Sequence, residues 1–153
     1  MNSGGIRSSF DVGNITYADM LGVLPFQNTV DLIEIRGKFL RQTLEKSAGK
    51  LSSDGGSSGG FLQVSGIKMT MDLRNPAGER ITSLKVSCAQ CQTPTYLEFD
   101  DESVYSVTLP SYLANGGDGH DIVEMHKTSH IPGNFSSKST PIYFITSLND
   151  QFT

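Results

Sequence analysis

The sequence predicts an α+β fold, with a mixed and mostly antiparallel sheet and a few helices. Short runs rich in β-branched residues alternate apolar and polar positions at residues 29–35, 81–86 and 104–109, which is the period of half-buried strands. Residues 38–48 instead repeat leucine at a spacing of four, which places both leucines on one face of a helix. Strands and helices that mix in this way along one chain indicate an α+β architecture.

The composition fits one folded domain. A chain of 153 residues can bury a sizeable core, and 37% hydrophobic with 18% charged residues suit a folded rather than a disordered chain. The net charge of −4 offers no basic face, so we expect no nucleic acid polymer among the partners. No apolar run approaches the about 20 residues that a membrane-spanning helix needs, so we also expect no direct membrane contact.

The first half of the chain predicts two helices around one strand. Thr16 and Asp19 fit a capping box at the start of a short helix, because each side chain can satisfy a free backbone N–H of the first turn. That helix should end near Gly22. The strand at residues 29–35 follows, and it leads into the helix at residues 38–48.

The second half predicts loops and further strands. The Gly/Ser-rich segment at residues 51–60 should be flexible and exposed. Residues 61–64 and 67–73 are expected to pair as two strands, and the Asn-Pro-Ala-Gly sequence at residues 75–78 marks the next turn. A helix is predicted for residues 121–127.

A glycine-rich motif, Tyr-Leu-Ala-Asn-Gly-Gly-Asp-Gly at residues 112–119, follows the strand at residues 104–109. Its three glycines within four positions let the backbone turn sharply and approach another surface closely. Asp118 is the only charged residue of the motif, and Tyr112 begins it. An aromatic ring and a carboxylate on a tight turn can bind a flat molecule that carries hydroxyl groups. The plainer interpretation is a connection between a strand and a helix.

Two further motifs precede this one in the chain. Asn-x-Gly-Gly-Ile-Arg stands at residues 2–7, and Leu-Pro-Phe stands at residues 24–26. In this order, the three motifs resemble the carboxy-terminal domain of the 5′-nucleotidase and apyrase family. The resemblance extends from about Asn2 to about Asp121, which is most of the chain.

The resemblance implies a domain organisation as well as a fold. We expect residues 1–129 to form the nucleotide-binding domain and residues 130–153 to be a divergent tail, because the tail lacks the helix and the strand with a Gly-Arg-Ile ending that the family adds. In the family, a metal-binding phosphatase domain precedes this one. The resemblance therefore implies that the chain is a truncated or excised piece.

Phe26 and Tyr112 are the two residues that the resemblance places as aromatic jaws around a nucleotide base. Stacking on an aromatic side chain contributes roughly 1–3 kcal/mol per base and tolerates different bases. The family usually has Phe at the second jaw, and Tyr112 keeps the ring while adding a hydroxyl. The alternative is that both rings belong to the hydrophobic core.

The resemblance also implies polar contacts to the rest of the nucleotide. The carboxylate of Asp118 would accept hydrogen bonds from the ribose hydroxyls. The planar guanidinium of Arg7 would contact phosphate or ribose, and a surface salt bridge is its structural alternative. Asn2 corresponds to an amide near the base and sugar. Asn28 lies where some bacterial members contact the base edge.

The pair Cys88 and Cys91 has a spacing found in redox pairs, in zinc sites and in small disulfides. Zinc would need two further ligands, and the three histidines of the chain lie far along the sequence. A redox pair would stand at a helix amino terminus, whereas residues 84–87 are predicted to end a strand. Residues 92–96 resemble the family's version of this loop, which implies a structural disulfide formed in an oxidising compartment. Sequons for N-glycosylation at Asn14 and Asn134 agree with that compartment.

The function that the resemblance implies is nucleotide recognition within a secreted or cell-surface hydrolase of nucleoside 5′-phosphates such as AMP, ADP or ATP. Two divalent metal ions, zinc in particular, would be held by the absent amino-terminal domain. We expect no catalytic residue and no metal ligand in this chain, which should be inactive alone. The alternatives are a truncated, non-catalytic binding or interaction module and, in third place, a thiol-redox protein.

Overall fold

The structure is a computed structural model that describes residues 1–52, 54 and 56–133. The described residues form two three-stranded sheets with four α-helices, and short 3₁₀ turns occur at Ser3–Gly5 and Gly117–Gly119. In chain order the elements are α1 (Tyr17–Val23), β1 (Val30–Arg36), α2 (Gly37–Ala48), β2 (Ile67–Met71), β3 (Ile81–Ser87), β4 (Tyr96–Glu98), β5 (Val104–Pro110), α3 (Ser111–Ala114), α4 (Asp121–His126) and β6 (Lys127–Ile131).

The first sheet has the order β5-β1-β6, and the second has the order β2-β3-β4. Every pairing within both sheets is antiparallel, which confirms the predicted fold class. In the central strand β1, Ile33 and Ile35 are buried, and they face Val107 and Tyr105 across the pair with β5. Apolar residues at alternate positions therefore form the buried face of this sheet.

The helix α2 confirms the prediction from the leucine spacing. Leu40 and Leu44 are both buried, and they join the isoleucines of β1 in one hydrophobic cluster. Leu84 and Val86 of the second sheet belong to the same cluster, so both sheets share a core. Truncation of a leucine in such a core typically costs about 2–5 kcal/mol of stability.

A reciprocal set of hydrogen bonds ties α2 to β3. The carboxylate of Glu45 accepts from the backbone N–H groups of Arg80 and Ile81 at 2.9 and 2.8 Å. The guanidinium of Arg80 donates in return to the carbonyls of Ala48 and Leu51 at 2.8 and 2.7 Å. The Ala48 carbonyl lies at the end of the helix and the Leu51 carbonyl lies three residues beyond it, so Arg80 also caps the end of α2.

The capping box at the start of α1 is confirmed. The backbone N–H of Thr16 donates to the Asp19 carboxylate at 2.8 Å, and the N–H of Asp19 donates to the Thr16 hydroxyl at 3.3 Å. The helix ends at Val23, close to the predicted end.

The predicted strand pair of residues 61–64 with 67–73 is wrong. Strand β2 pairs with β3, and the preceding segment pairs with the beginning of the chain, where Ser3 N–H donates to Phe61 O and Gln63 N–H donates to Met1 O, both at 2.7 Å. An alternating pattern identifies a strand and its buried face, but it does not identify the partner strand.

The Gly/Ser segment is exposed along most of its described length, as predicted, but its end is a fixed part of the fold. Gly60 is buried, and the N–H of Gly4 donates to the carbonyl of Gly59 at 2.7 Å. A Cβ atom added to Gly59 would lie 3.3 Å from the Cα of Gly4. The close approach of these two backbones explains the glycines at both positions.

Strand β6 crosses the expected boundary between residues 129 and 130. His130 pairs with Ile33 of β1, so the first residues of the expected tail belong to the first sheet. The rest of that tail, from Asn134 onward, lies outside the described residues, and the sequon at Asn134 lies there as well. Asn14, the other sequon, is exposed.

A buried carboxylate attaches β6 to β1. Asp31 is buried, and its oxygens accept hydrogen bonds from Thr29 Oγ1 and His130 Nε2 at 2.6 Å each and from Gly133 N–H at 3.1 Å. Burial alone would raise the pKa of this carboxyl, but the three hydrogen bonds outweigh burial and hold the pKa below its ordinary value. The charged form of Asp31 is therefore part of the folded structure.

The predicted helix near residue 121 and the predicted disulfide are both present. Cys88 and Cys91 are bonded, with their Cα atoms 5.5 Å apart. The disulfide closes the turn between β3 and β4, where Cys88 N–H also donates to Thr95 O at 2.8 Å. Among the described residues, every helix is too short or too polar to cross a membrane.

Candidate functional site

Two of the segments that carry candidate nucleotide-binding residues meet where β1 begins and β5 ends. Because Val30 pairs with Pro110, the loop before β1 and the helix α3 after β5 are neighbours. The backbone N–H of Ser111 donates to Thr29 O at 3.0 Å, and its hydroxyl donates to Asn28 Oδ1 at 3.4 Å. These contacts place Asn28 beside the residue that precedes Tyr112.

Asp118 is bonded to two of the other candidate residues. The side-chain amide of Asn2 donates to Asp118 Oδ2 at 2.6 Å, and the hydroxyl of Tyr112 donates to Asp118 Oδ1 at 2.8 Å. The Tyr112 oxygen also accepts from the backbone N–H of Asp118 at 3.0 Å. Each carboxylate oxygen therefore receives one hydrogen bond within this set, and a carboxylate oxygen can accept a second.

The turn that carries Asp118 has a left-handed backbone. Asp118 has φ 55° and ψ 24°, and Gly116 has φ 79°. This region is unfavourable for most side chains but is tolerated by Asp and open to Gly. A Cβ atom on Gly117 would lie 2.5 Å from the ring of Tyr112, so the ring occupies the space that a side chain would need. The glycines of the motif thus have specific structural roles.

Asn2 is positioned by the end of the Gly/Ser segment. Asn2 is buried, and its backbone forms an antiparallel bridge with Leu62. The hydrogen bond from Gly4 to Gly59 continues this pairing. The end of the Gly/Ser segment, which the sequence predicts to be flexible, therefore supports Asn2, one of the two partners of Asp118.

Phe26 and Tyr112 are surface residues with 56% and 43% exposure. These values exclude the alternative that both rings belong to the core. Arg7 lies close to the first ring, with its guanidinium carbon 5.8 Å from the Phe26 ring centroid, within the range of a cation–π contact. Arg7 also donates to Gly4 O at 3.2 Å, so no salt bridge is needed to account for its position.

The hydroxyl of Tyr112 acts as a donor at neutral pH. Its hydrogen bond to the Asp118 carboxylate raises the pKa of the Tyr112 phenol above its ordinary value. The phenol therefore stays protonated and can keep donating to Asp118.

His120 is a residue that sequence reasoning missed, since it stood out only as a distant zinc ligand. The side chain is 1% exposed, and Nε2 lies 2.9 Å from the carbonyl of Gly60, so this nitrogen carries the proton. Its Nδ1 is buried without a partner among the described residues. Burial lowers the pKa of His120, and the nearby charges of Lys50 and Lys46 lower it further. No pattern in the sequence distinguishes such a histidine from an exposed one.

His120 connects the two halves of the site. It follows Asp118 by two residues, and its partner Gly60 adjoins the glycine that pairs with Gly4. The Asp118 turn and the Asn2 loop are thereby attached to the same short segment. Within the part of the chain that the structure describes, no group of three or more His, Cys, Asp or Glu side chains could hold a metal ion.

Comparison with known proteins agrees with the arrangement of these motifs. The model of the 5′-nucleotidase carboxy-terminal domain matches residues 1–127. Snake venom 5′-nucleotidase from Gloydius brevicauda is 42% identical over 138 residues, which cover 88% of this chain and 23% of that protein. Apyrase from Tabanus yao is 37% identical over 150 residues, which cover 93% of this chain and 27% of that protein.

A solved structure is similar in both fold and sequence. The 5′-nucleotidase precursor from Thermus thermophilus superposes with a TM-score of 0.76 at 34% identity, covering 86% of this chain and 24% of that structure. The chain thus spans about a quarter of the length of the relatives that it matches. From the family model and these relatives together, the chain belongs to the family of 5′-nucleotidase carboxy-terminal domains.

Proposed function

We propose that this chain is the nucleotide-recognition domain of a secreted or cell-surface enzyme that hydrolyses nucleoside 5′-phosphates. The base would stack between Phe26 and Tyr112, and Asp118 would hold the ribose. The observation that carries the proposal is the combination of two exposed aromatic rings with a carboxylate that Asn2 and Tyr112 already orient. Exposed aromatic rings are suited to stacking on a flat ligand.

The polar residues would divide the rest of the nucleotide between them. Asp118 has acceptor capacity left on both oxygens, which suits the two adjacent hydroxyls of a ribose. Arg7 stands beside the Phe26 ring and carries a guanidinium that can pair with phosphate oxygens. Asn2 and Asn28 would contribute amide groups near the base and sugar. Each of these roles applies to AMP, ADP and ATP alike.

Hydrolysis would be carried out by a separate amino-terminal domain. The described residues offer no ligand cluster for the two divalent ions, zinc in particular, that such chemistry would use, so the amino-terminal domain would hold both ions. The chain alone should not release phosphate. The names of its relatives, snake venom 5′-nucleotidase and apyrase, support a hydrolase as the whole protein.

The extracellular location rests on two observations. The bonded pair Cys88 and Cys91 fits an oxidising compartment, and Asn14 of the first sequon is exposed and accessible to a glycan. One relative is named as a snake venom protein, which supports the same location for this chain.

The test compares affinity with stability in the 153-residue chain. Phe26→Ala and Tyr112→Ala should each weaken AMP binding about five- to a hundredfold, the effect of roughly 1–3 kcal/mol of stacking, with little change in melting temperature. Phe99→Ala is the matched control, because that ring is buried in the core and its truncation should cost about 3–5 kcal/mol of stability. A large stability loss in the first two variants with unchanged affinity would refute the proposal.

The alternative is a non-catalytic binding or interaction module. It is favoured by a concentration of exposed apolar side chains in the first 26 residues, which could contact another protein. These side chains are Ile6, Phe10, Val12, Ile15, Tyr17, Leu21 and Phe26. The mass of the natural protein distinguishes the two, since a hydrolase would carry a further domain.

A further inference from the structure

We propose that the Tyr112 hydroxyl is a positioning group that orients the Asp118 carboxylate to receive both hydroxyls of a cis-diol. The inference rests on the proposed function and deepens it, since it assigns sugar specificity to the hydroxyl of a residue whose ring has been assigned to the base. Tyr112 would therefore act on two parts of the nucleotide through two parts of one side chain.

The first support is that one hydroxyl contacts both the side chain and the backbone of Asp118. It donates to Oδ1 at 2.8 Å and accepts from the Asp118 N–H at 3.0 Å. Asn2 donates to the other oxygen at 2.6 Å. Two donors on opposite oxygens determine the plane of the carboxylate, which a single donor would leave free to rotate.

The second support is that the carboxylate needs such restraint. Asp118 lies on a left-handed turn, and its neighbours Gly117 and Gly119 carry no side chain that could restrict its carboxylate. A freely rotating carboxylate would lose conformational entropy when both oxygens bind the diol. Hydrogen bonds that already fix it reduce this loss for a ligand with two hydroxyls. A ligand with one hydroxyl gains less.

The third support is that the site is built around the complete tyrosine. The absence of a side chain on Gly117 lets the ring lie close to the turn, where a Cβ atom would be 2.5 Å away. Phenylalanine would offer the same face for stacking. The hydroxyl is therefore the part of this residue that base stacking does not explain.

The experiment measures nucleoside affinity in the 153-residue chain by NMR titration. Adenosine carries the cis-diol, whereas 2′,3′-dideoxyadenosine keeps the base and lacks both hydroxyls. Nucleosides carry no phosphate, so the measurement does not depend on any phosphate-binding domain. The variant is Tyr112→Phe, and the matched control is Tyr96→Phe, which removes a hydroxyl from β4 of the second sheet.

Tyr112→Phe should reduce the preference for adenosine over dideoxyadenosine about three- to tenfold, because Asp118 keeps its charge and its bond from Asn2 and loses only one of the two donors that orient it. Its affinity for dideoxyadenosine should not change, because stacking is retained. Tyr96→Phe should leave both affinities unchanged. In an Asp118→Asn background, Tyr112→Phe should have little further effect on the preference, since the two changes act on one contact.

Each of the remaining possible results would overturn the inference, and each would do so for a different reason. An unchanged preference would mean that the hydroxyl only stabilises its turn, and an increased one would mean that it competes with ribose for Oδ1. If the affinities for both nucleosides fall equally, the substitution has caused a general loss of structure, which a lowered melting temperature would also show. If the wild-type chain binds both nucleosides equally well, the ribose assignment of the proposed function fails, and this inference fails with it.

Discussion

The end of the first sheet that carries Tyr112 and Asp118 differs from the second sheet in how its parts are connected. Asn2 and Asp118 are 116 residues apart in sequence, and their bond joins two loops. In the second sheet, consecutive strands pair with each other, and Cys88 bonds to Cys91 three residues away. The site thus depends on distant parts of the chain, whereas the second sheet is built from neighbouring ones.

The two regions also differ in how closely their residues follow the usual preferences for backbone conformation and burial. The site contains a left-handed aspartate, two exposed aromatic rings and a buried histidine nitrogen without a partner among the described residues. Strand β3 of the second sheet buries Leu84 and Val86 at alternate positions, as a regular strand does. Departures from local preference tend to cluster at functional sites, where the rest of the fold compensates for them.

The largest effect on binding should come from Asp118. In Asp118→Asn, the preference for adenosine over 2′-deoxyadenosine should fall about ten- to a hundredfold, because one acceptor oxygen is replaced by a donor and a charged hydrogen bond is lost. Titration of both nucleosides with both proteins measures this preference. Asp72→Asn, in the turn after β2, is a control that removes the same charge from the second region. Equal losses for the two nucleosides would instead indicate that Asp118 only holds its own turn.

A smaller effect on binding should come from Gly117→Ala. The added Cβ would meet the Tyr112 ring at 2.5 Å, so the ring must move and adenosine affinity should fall about tenfold. Gly22→Ala is the control, since no atom lies within 4 Å of its added Cβ and the residue lies in α1. Unchanged affinity in Gly117→Ala would show that the position of the ring is unimportant for the ligand.

These contrasts explain how much of the molecule could be predicted from its sequence. The capping box of Thr16, the helix α2 and strand β3 depend on residues close in sequence, and all were predictable. The partner of residues 61–64 was not, because register and pairing depend on the rest of the fold. The burial of His120 and the bond from Asn2 to Asp118 likewise result from chain segments that only the folded structure brings together.

The third prediction concerns pH and His120. Burial lowers the pKa of this histidine in the folded state, so the unfolded chain takes up a proton more readily as pH falls through about 6.5. The contribution of neutral His120 to the free energy of unfolding should therefore be present above that pH and should decrease as the pH falls toward 5.5, a window above the titration of most carboxyl groups.

Melting curves at pH 7 and 5.5 test this prediction. His120→Phe should flatten the dependence on pH, because a neutral ring replaces the titrating one. His126→Phe is the control for the same substitution outside the buried position, since His126 stacks on Phe39 in a partly exposed position. If the melting temperature of His120→Phe depends on pH as strongly as that of the wild type, His120 is not the source of the pH dependence.

The smallest effect on binding should follow reduction of the disulfide. Cys88 and Cys91 close a very short loop in the second sheet, for which the chain-entropy relation gives at most about 2 kcal/mol of stability. Adenosine affinity should not change on mild reduction at a temperature well below melting. A parallel loss of affinity would mean that the two regions are coupled.

The most direct test of the account is to map the binding surface with AMP and the isotope-labelled chain. The account predicts that the largest changes in amide chemical shift occur at residues 116–119 and at Phe26, Gln27 and Asn28, with β2, β3 and β4 unaffected. An absence of shifts at millimolar AMP, or shifts concentrated in the second sheet, would contradict the assignment of the nucleotide site to the end of the first sheet.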